Sequence, residues 1–133
     1  MKKIIVLGLI LFITISVLNA CTNDGDPITL DSIKTTLKDA GYTIIEDVGH
    51  SPENSVKGFS FAYFGAHGSV NVPIWEFKDK SSADDYAAYI NTNKNLLAIV
   101  NDNFLTIGEA HHGVAHANEK TFLENLISGK DIK

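Results

Sequence analysis

Hydrophobic and polar positions follow two different patterns along this chain. Residues 4–18 form a run without a single charge, whereas apolar and polar residues are interleaved in short blocks from Cys21 onward. A long uniform run is typical of a targeting or membrane segment, and interleaved blocks are typical of a folded domain. The first 20 residues are therefore interpreted separately from the rest.

Helical spacing of apolar residues predicts three helices. The first covers residues 30–40, where Thr29 can cap the start and Gly41 can end the helix. The second extends from a cap at Ser81 or Ser82 to about residue 91, and the third covers residues 118–127 and ends before Gly129. Their apolar stripes consist of Leu30, Ile33 and Leu37, then Ala83, Tyr86, Ala87 and Ile90, then Phe122, Leu123, Leu126 and Ile127.

Runs of β-branched and aromatic residues predict five strands. They cover residues 42–48, 59–64, 70–77, 96–100 and 104–107. Residues 50–58 read as a loop and residues 65–68 as the turn of a hairpin. Asn101, Asp102 and Asn103 form a turn-prone triplet between the last two strands.

The strand over residues 70–77 contains a conflict of pattern. Val70, Val72 and Ile74 share one face, while Trp75 and Phe77 lie on the other, and Pro73 cannot donate to a strand ladder. Pro73 is consistent with an edge position or with a bulge that resets the alternation. Alternatively, both faces of the sheet are covered at this end.

The element order is α-β-β-β-α-β-β-α, with short connections. Hairpins joined to helices favour an α+β fold, in which an antiparallel sheet of about four to five strands carries helices on one face. Residues 28–133 are expected to form a single domain of this kind.

Composition narrows the possible functions. The 133 residues include 11 Lys, no Arg and 16 acidic residues, for a formal charge of −5. This acidic balance argues against a nucleic-acid partner, since phosphate binding depends on clustered basic residues. The single cysteine, Cys21, excludes an internal disulfide and any metal site built from several cysteines.

The amino terminus has the layout of an export signal. Lys2 and Lys3 precede the apolar run of residues 4–18, which is shorter than the about 20 residues that a permanent transmembrane helix requires. The small residue Ala20 closes the segment. We therefore expect residues 1–20 to direct export and to be removed, which leaves a more acidic mature chain.

Leu18, Asn19, Ala20 and Cys21 resemble the lipobox of bacterial lipoproteins. The resemblance implies cleavage between Ala20 and Cys21 and a diacylglyceryl group on the Cys21 thiol. Residues 21–27 would then form a lipidated amino terminus and a flexible tether, and the domain would lie on the extracytoplasmic face of the cell membrane. The alternative is an ordinary signal peptide cleaved near Ala20, which would leave a free thiol.

Histidines provide the candidate metal ligands. His111, His112 and His116 lie within eight residues together with Glu109, and His67 lies in the hairpin turn. Imidazole binds zinc, copper and nickel, so a metal-binding or metal-delivery lipoprotein is one hypothesis. The alternative is a solvated loop, since Gly113 interrupts the helical spacing of His112 and His116.

Catalytic signals are weak. Asp84 and Asp85 suit the amino-terminal turn of a helix and are expected to be structural, and no nucleophile elbow is present. The aromatic residues Phe59, Phe61, Tyr63, Phe64, Trp75 and Phe77 are expected to form a core rather than a ligand groove. The sequence favours a non-catalytic binding or protein-interaction module of the cell envelope, without a cofactor apart from the lipid. A metal-binding protein is the main alternative, and a small envelope hydrolase is the third.

Overall fold

Three helices alternate with two groups of consecutive antiparallel strands along the described part of the domain. A computed structural model describes residues 25–65, 68–109 and 114–132, and for residues 65, 109 and 114–117 it describes secondary structure alone. The elements are α1 (Leu30–Asp39), β1 (Ile44–Ile45), β2 (Ser55–Gly65), β3 (Gly68–Phe77), α2 (Lys80–Ile90), β4 (Leu96–Asn101), β5 (Phe104–Glu109) and α3 (Val114–Ile127). None of these helices combines the length and the apolarity that crossing a membrane demands.

The five strands form one antiparallel sheet in the order β1-β2-β3-β5-β4. The predicted α+β class, the antiparallel sheet and the element order are therefore confirmed. β3 is the central strand of the sheet, so Pro73 does not lie on an edge strand. Both faces of β3 are covered, which is the alternative that the sequence left open.

Two hydrophobic clusters cover opposite faces of the sheet. On one face α1 and α3 pack against β2 and β3 residues such as Phe61 and Ile74. On the other face α2 packs Ala83 and Ala87 against Trp75, Phe77 and Leu105. The expectation that all helices lie on one face is therefore wrong, because β3 presents large apolar side chains alternately to both sides and each side must be buried.

Several element boundaries differ from those predicted. β1 is limited to two residues, β2 begins inside the predicted loop, and α3 begins at Val114 rather than at residue 118. The early start of β2 accompanies a register shift between Ser55 and Lys57, which leaves Val56 63% exposed. A bulge of this kind breaks the alternation that marks a strand in sequence.

Helix caps explain where two of the helices begin. Thr29 caps α1 as predicted, with a reciprocal pair of bonds to Ser32. α2 is capped by Asp79, whose carboxylate accepts the Ser82 N–H at 2.8 Å, and not by Ser81 or Ser82. Asp84, near the start of α2, is exposed and pairs with Lys80 at 2.6 Å, in keeping with a structural role.

Candidate functional site: a cleft between two diverging strands

Most of the residues that the sequence predicted as cleavage, lipidation or metal-binding positions lie outside the part of the chain that the structure describes. This holds for Ala20 and Cys21, the proposed cleavage and lipidation positions, and for His67, His111 and His112. Glu109 ends β5 and His116 lies in the first turn of α3, but their side chains are outside the description as well.

Among the described residues, no group of three or more potential ligands is arranged to hold a metal ion. His50 is exposed in the loop between β1 and β2, at the opposite end of β2 from the hairpin turn. The described flanks of the other histidine segments lie at one end of the sheet, because β5 runs antiparallel to β3 and ends near its beginning.

Strands β3 and β5 pair over only part of their length. β3 pairs with β2 from Phe77 back to Gly68, but with β5 only at Ile74, Trp75 and Glu76. β5, in contrast, pairs with β4 through Glu109. The first half of β3 and the second half of β5 therefore diverge within the sheet.

Pro73 lies where the two strands separate. In an antiparallel sheet the N–H and C=O of one residue point to the same neighbour, and the direction alternates along the strand. The Phe77 N–H donates to the Asn103 carbonyl at 2.8 Å on the β5 side, so Trp75 and Pro73 direct their main-chain groups to that side too. Because proline has no N–H, the ladder to β5 loses a donor at this position.

A side chain replaces the missing ladder contact. The Thr106 hydroxyl donates to the Pro73 carbonyl at 2.8 Å, and Thr106 is fully buried. This bond satisfies the last carbonyl before the strands part. The separation is therefore a stabilised feature of the sheet.

The separation opens a cleft of about 320 Å³. This volume lies at the lower end of the roughly 300–1,000 Å³ that ligand sites occupy, and the lining is mainly apolar, as is typical of such sites. The cleft is lined by Val70, Asn71, Val72, Pro73, Leu96, Ile107, Gly108 and Glu119.

Glu119 contributes an acidic side chain to the cleft. It lies on α3 and is only 6% exposed, although glutamate is seldom buried to this extent. A Cβ at Gly108 would lie 3.0 Å from Cδ1 of Leu123 and 3.7 Å from Oε1 of Glu119. The absence of a side chain at Gly108 therefore leaves room for α3 to pack against β5 and for the carboxylate to approach the strand.

Tyr63 is influenced by the same carboxylate. Burial raises the pKa of the Tyr63 hydroxyl, and the negative charge of Glu119 and the neighbouring Tyr42 raise it further. Tyr63 also stacks on Phe122 of α3, with ring centroids 5.3 Å apart. The electrostatic influence of Glu119 thus extends into the aromatic part of the core.

Two other concavities in the described part of the chain are about as open to solvent as the cleft. One, of about 210 Å³, lies beside Tyr86 and Tyr89 on α2. The other, of about 540 Å³, lies beside residues 25–28 and the end of α3. Unlike the cleft, neither is bordered by a strand whose main-chain groups lack a neighbouring strand, so the cleft is the stronger candidate for a binding site.

The predicted aromatic core is largely confirmed. Five of the six aromatic residues pack into the two clusters, while Phe64 is 79% exposed near the hairpin turn. The sequence identified Pro73 as anomalous but missed Thr106 and Glu119. A signal for Glu119 was present, since it precedes Leu123 and Leu126 at the helical spacing of the buried stripe.

Comparisons of the chain with protein-family models, with curated proteins and with solved structures gave no match. The cleft and the amino-terminal sequence are therefore the features of the chain that bear on its function. Among the described residues, the cleft offers apolar walls, main-chain groups of β3 that no described strand pairs with, and one acidic side chain, which together suit the binding of a ligand.

Proposed function

We propose that this protein is a lipid-anchored, extracytoplasmic binding module of the cell envelope, and that the cleft between β3 and β5 is its ligand site. The observation that carries this proposal is the divergence of two strands in the middle of a sheet, stabilised by the bond from Thr106 to Pro73. Such a gap costs the sheet hydrogen bonds between β3 and β5, and a ligand-binding function explains why the sheet contains it.

The composition of the cleft favours binding without catalysis. Its described lining has one carboxylate, on Glu119, and one side-chain amide, on Asn71, among apolar residues. General acid–base and nucleophilic catalysis use paired groups within hydrogen-bond reach of each other. The lining supports a recognition role more readily than a hydrolytic one.

The anchor is proposed from the lipobox-like sequence that ends at Cys21. Two acyl chains provide stable membrane attachment at about 0.8 kcal/mol for each buried methylene group. The short segment between Cys21 and α1 would keep the cleft close to the membrane surface. Replacement of Cys21 by serine should abolish labelling by a fatty-acid analogue, and unchanged labelling would refute the lipid anchor.

Site-specific photo-crosslinking tests the binding role. A photoreactive amino acid at Asn71, which is exposed and lines the cleft, should crosslink the full chain to a ligand in intact cells. The same amino acid at Asp39, exposed at the end of α1, is the matched control. Equal crosslinking at both positions, or none at Asn71, would contradict a ligand site in the cleft.

A metal-binding role is the second candidate, and it is favoured by the described flanks of the histidine segments. The described flanks Gly68, Glu109 and Val114 lie at the same end of the sheet. A full chain with His111→Ala, His112→Ala and His116→Ala should lose zinc or copper binding if this role is correct. Metal affinity equal to that of the wild type would remove the hypothesis.

A further inference from the structure

The free edge of β3 carries main-chain groups that suit a specific kind of ligand. Asn71 lies two residues before Pro73, so its N–H and C=O point to the same side as those of Trp75, toward β5. No strand in the described part of the chain pairs with this side of residues 68–73. A free edge of this kind presents alternating donors and acceptors that match another extended chain.

The geometry points to an extended peptide segment as the ligand, bound in the cleft as an added β-strand along β3, with a basic side chain beside Glu119. This inference rests on the proposed binding function and specifies its ligand class. Main-chain hydrogen bonds to Asn71 supply a contact that does not depend on the peptide sequence, and the side-chain surroundings supply the preference.

The position of the free edge favours a peptide over a second copy of this chain. Strand pairing between two folded copies requires an edge at the periphery of each sheet. The free part of β3 instead lies between β2 and the diverging end of β5, with Leu96 of β4 beyond it. A flexible, extended segment can enter such a gap, whereas the edge of a folded sheet is obstructed by β5 and β4.

The two sides of the cleft would contact alternate peptide side chains. On the face of the sheet that α3 covers, the cleft is lined by Val72 and by Glu119 of α3. On the opposite face it is lined by Ile107 and Leu96. Because side chains alternate across a strand, one peptide side chain would approach the Glu119 carboxylate and the next would contact apolar residues. A lysine is complementary to a largely buried carboxylate, and an aliphatic residue is complementary to the second position.

Amide hydrogen exchange of the full chain in lipid nanodiscs provides the first test. The Asn71 amide should exchange rapidly in the free protein, whereas the Trp75 amide, which is on the paired part of the same strand, should exchange slowly. Binding of a peptide should slow exchange at Asn71 and leave Trp75 unchanged. Slow exchange at Asn71 in the free protein would overturn the inference, since the edge would already be paired.

The probe is a synthetic library of peptides of about seven residues, the length that covers the free edge, with lysine fixed at the centre. Asn71→Ala removes the side chain but keeps the main-chain N–H, so it is the reference with which Asn71→Pro is compared. Asn71→Pro removes that donor on the β5 side and should bind a retained peptide about tenfold more weakly. Absence of retained peptides, or equal affinity for Asn71→Pro and Asn71→Ala, would overturn the inference.

A methylation scan of the retained peptide keeps the test valid if Asn71→Pro fails to fold. Methylation of alternate peptide nitrogens should abolish binding, and methylation of the intervening ones should not, as an added strand requires. Replacement of the peptide lysine by glutamine should weaken binding to wild type but not to Glu119→Gln. Uniform effects along the peptide would overturn strand addition, and a lysine effect that persists in Glu119→Gln would overturn the role of Glu119.

The two proposals fail in distinguishable ways. Crosslinking of a non-peptide ligand at Asn71 would leave the binding function intact and overturn the peptide inference. The peptide inference would also be overturned if the free chain formed a dimer and Asn71→Pro abolished that dimer. The free edge would then pair with a second copy of the chain. If the photoreactive amino acid at Asn71 formed no crosslink, the binding function itself would be contradicted.

Discussion

The hydroxyl of Thr106 donates a hydrogen bond to the carbonyl of Pro73 at 2.8 Å, at the point where β3 and β5 separate. This contact joins the two sides of the cleft at its closed end. It also satisfies an acceptor in the interior of the sheet, where an unsatisfied polar group would be costly.

Thr106→Val should therefore destabilise the fold. Valine has nearly the same shape and a high β propensity, so the loss comes from the carbonyl of Pro73 that is left without a donor, at a cost of about 1–3 kcal/mol. The free energy of unfolding in urea, followed by Trp75 fluorescence, measures the change. Thr43→Val, at an exposed position, should change stability by no more than about 0.5 kcal/mol, and an equal loss at both positions would contradict the role of Thr106.

Glu119 should determine part of the titration of Tyr63. Burial and the Glu119 charge raise the pKa of Tyr63 above its ordinary value of 10.0. Glu119→Gln should lower this pKa, but burial should keep it above the ordinary value. Ultraviolet titration of the phenolate, with Tyr63→Phe to identify the signal, measures the shift, and an unchanged pKa in Glu119→Gln would contradict the electrostatic contact.

The same raised pKa predicts a loss of stability in alkali. The native state holds the Tyr63 proton more tightly than the unfolded state does, so this contribution is fully present below pH 10 and is lost as the pH rises through the folded pKa. Tyr63→Phe should reduce the steepness of the loss when unfolding is measured across this range. The raised pKa of Tyr86, which burial also causes, should leave part of the slope in that variant.

Much of the fold was predictable from the sequence because the buried stripes are regular. The stripe Leu30, Ile33 and Leu37 predicted α1, and the alternation of Phe59, Phe61 and Tyr63 predicted the central part of β2. The sides on which the helices lie were not predictable from order alone. They depend on which face of β3 each helix covers, and both faces of that strand are apolar.

The candidate site was less predictable, because it arises from the loss of a pairing between strands distant in sequence. Pro73 signalled an irregularity, but the pairing of Ile74 with Thr106 is what places the irregularity beside β5. The register between such strands is a tertiary property. The buried Glu119 was detectable only as an acidic residue on an otherwise apolar stripe.

The N-cap of α2 is Asp79, whereas the sequence predicted Ser81 or Ser82. Asp79 accepts the Ser82 N–H, and this bond lowers the pKa of the Asp79 carboxyl below its ordinary value of 3.8. Asp79→Ala should lower the melting temperature at neutral pH, while Asp79→Ser should retain most of the cap. A lowered pKa contributes stability above the ordinary value and loses it as the pH falls through the folded pKa, so the difference between wild type and Asp79→Ala should shrink in acid to that of a neutral cap. A larger effect for Ser81→Ala than for Asp79→Ala would favour the cap that the sequence predicted.

Gly58 should be essential for the packing of Trp75. A Cβ at Gly58 would lie 2.4 Å from Cδ1 of Trp75 and 2.9 Å from the carbonyl oxygen of Ile74, closer than atoms approach in proteins. Trp75 is 5% exposed and lies edge-on to Tyr86, with ring centroids 6.0 Å apart, so the indole has little room to move. Gly58→Ala should therefore destabilise the domain by about 1–3 kcal/mol and alter the Trp75 emission spectrum, because the added methyl group displaces the ring. Gly25→Ala, where a Cβ meets no atom within 4 Å, is the matched control and should leave both measurements unchanged. Equal stability of the two variants would show that β2 shifts to accept the methyl group, and that the close approach of the indole to the strand is not required.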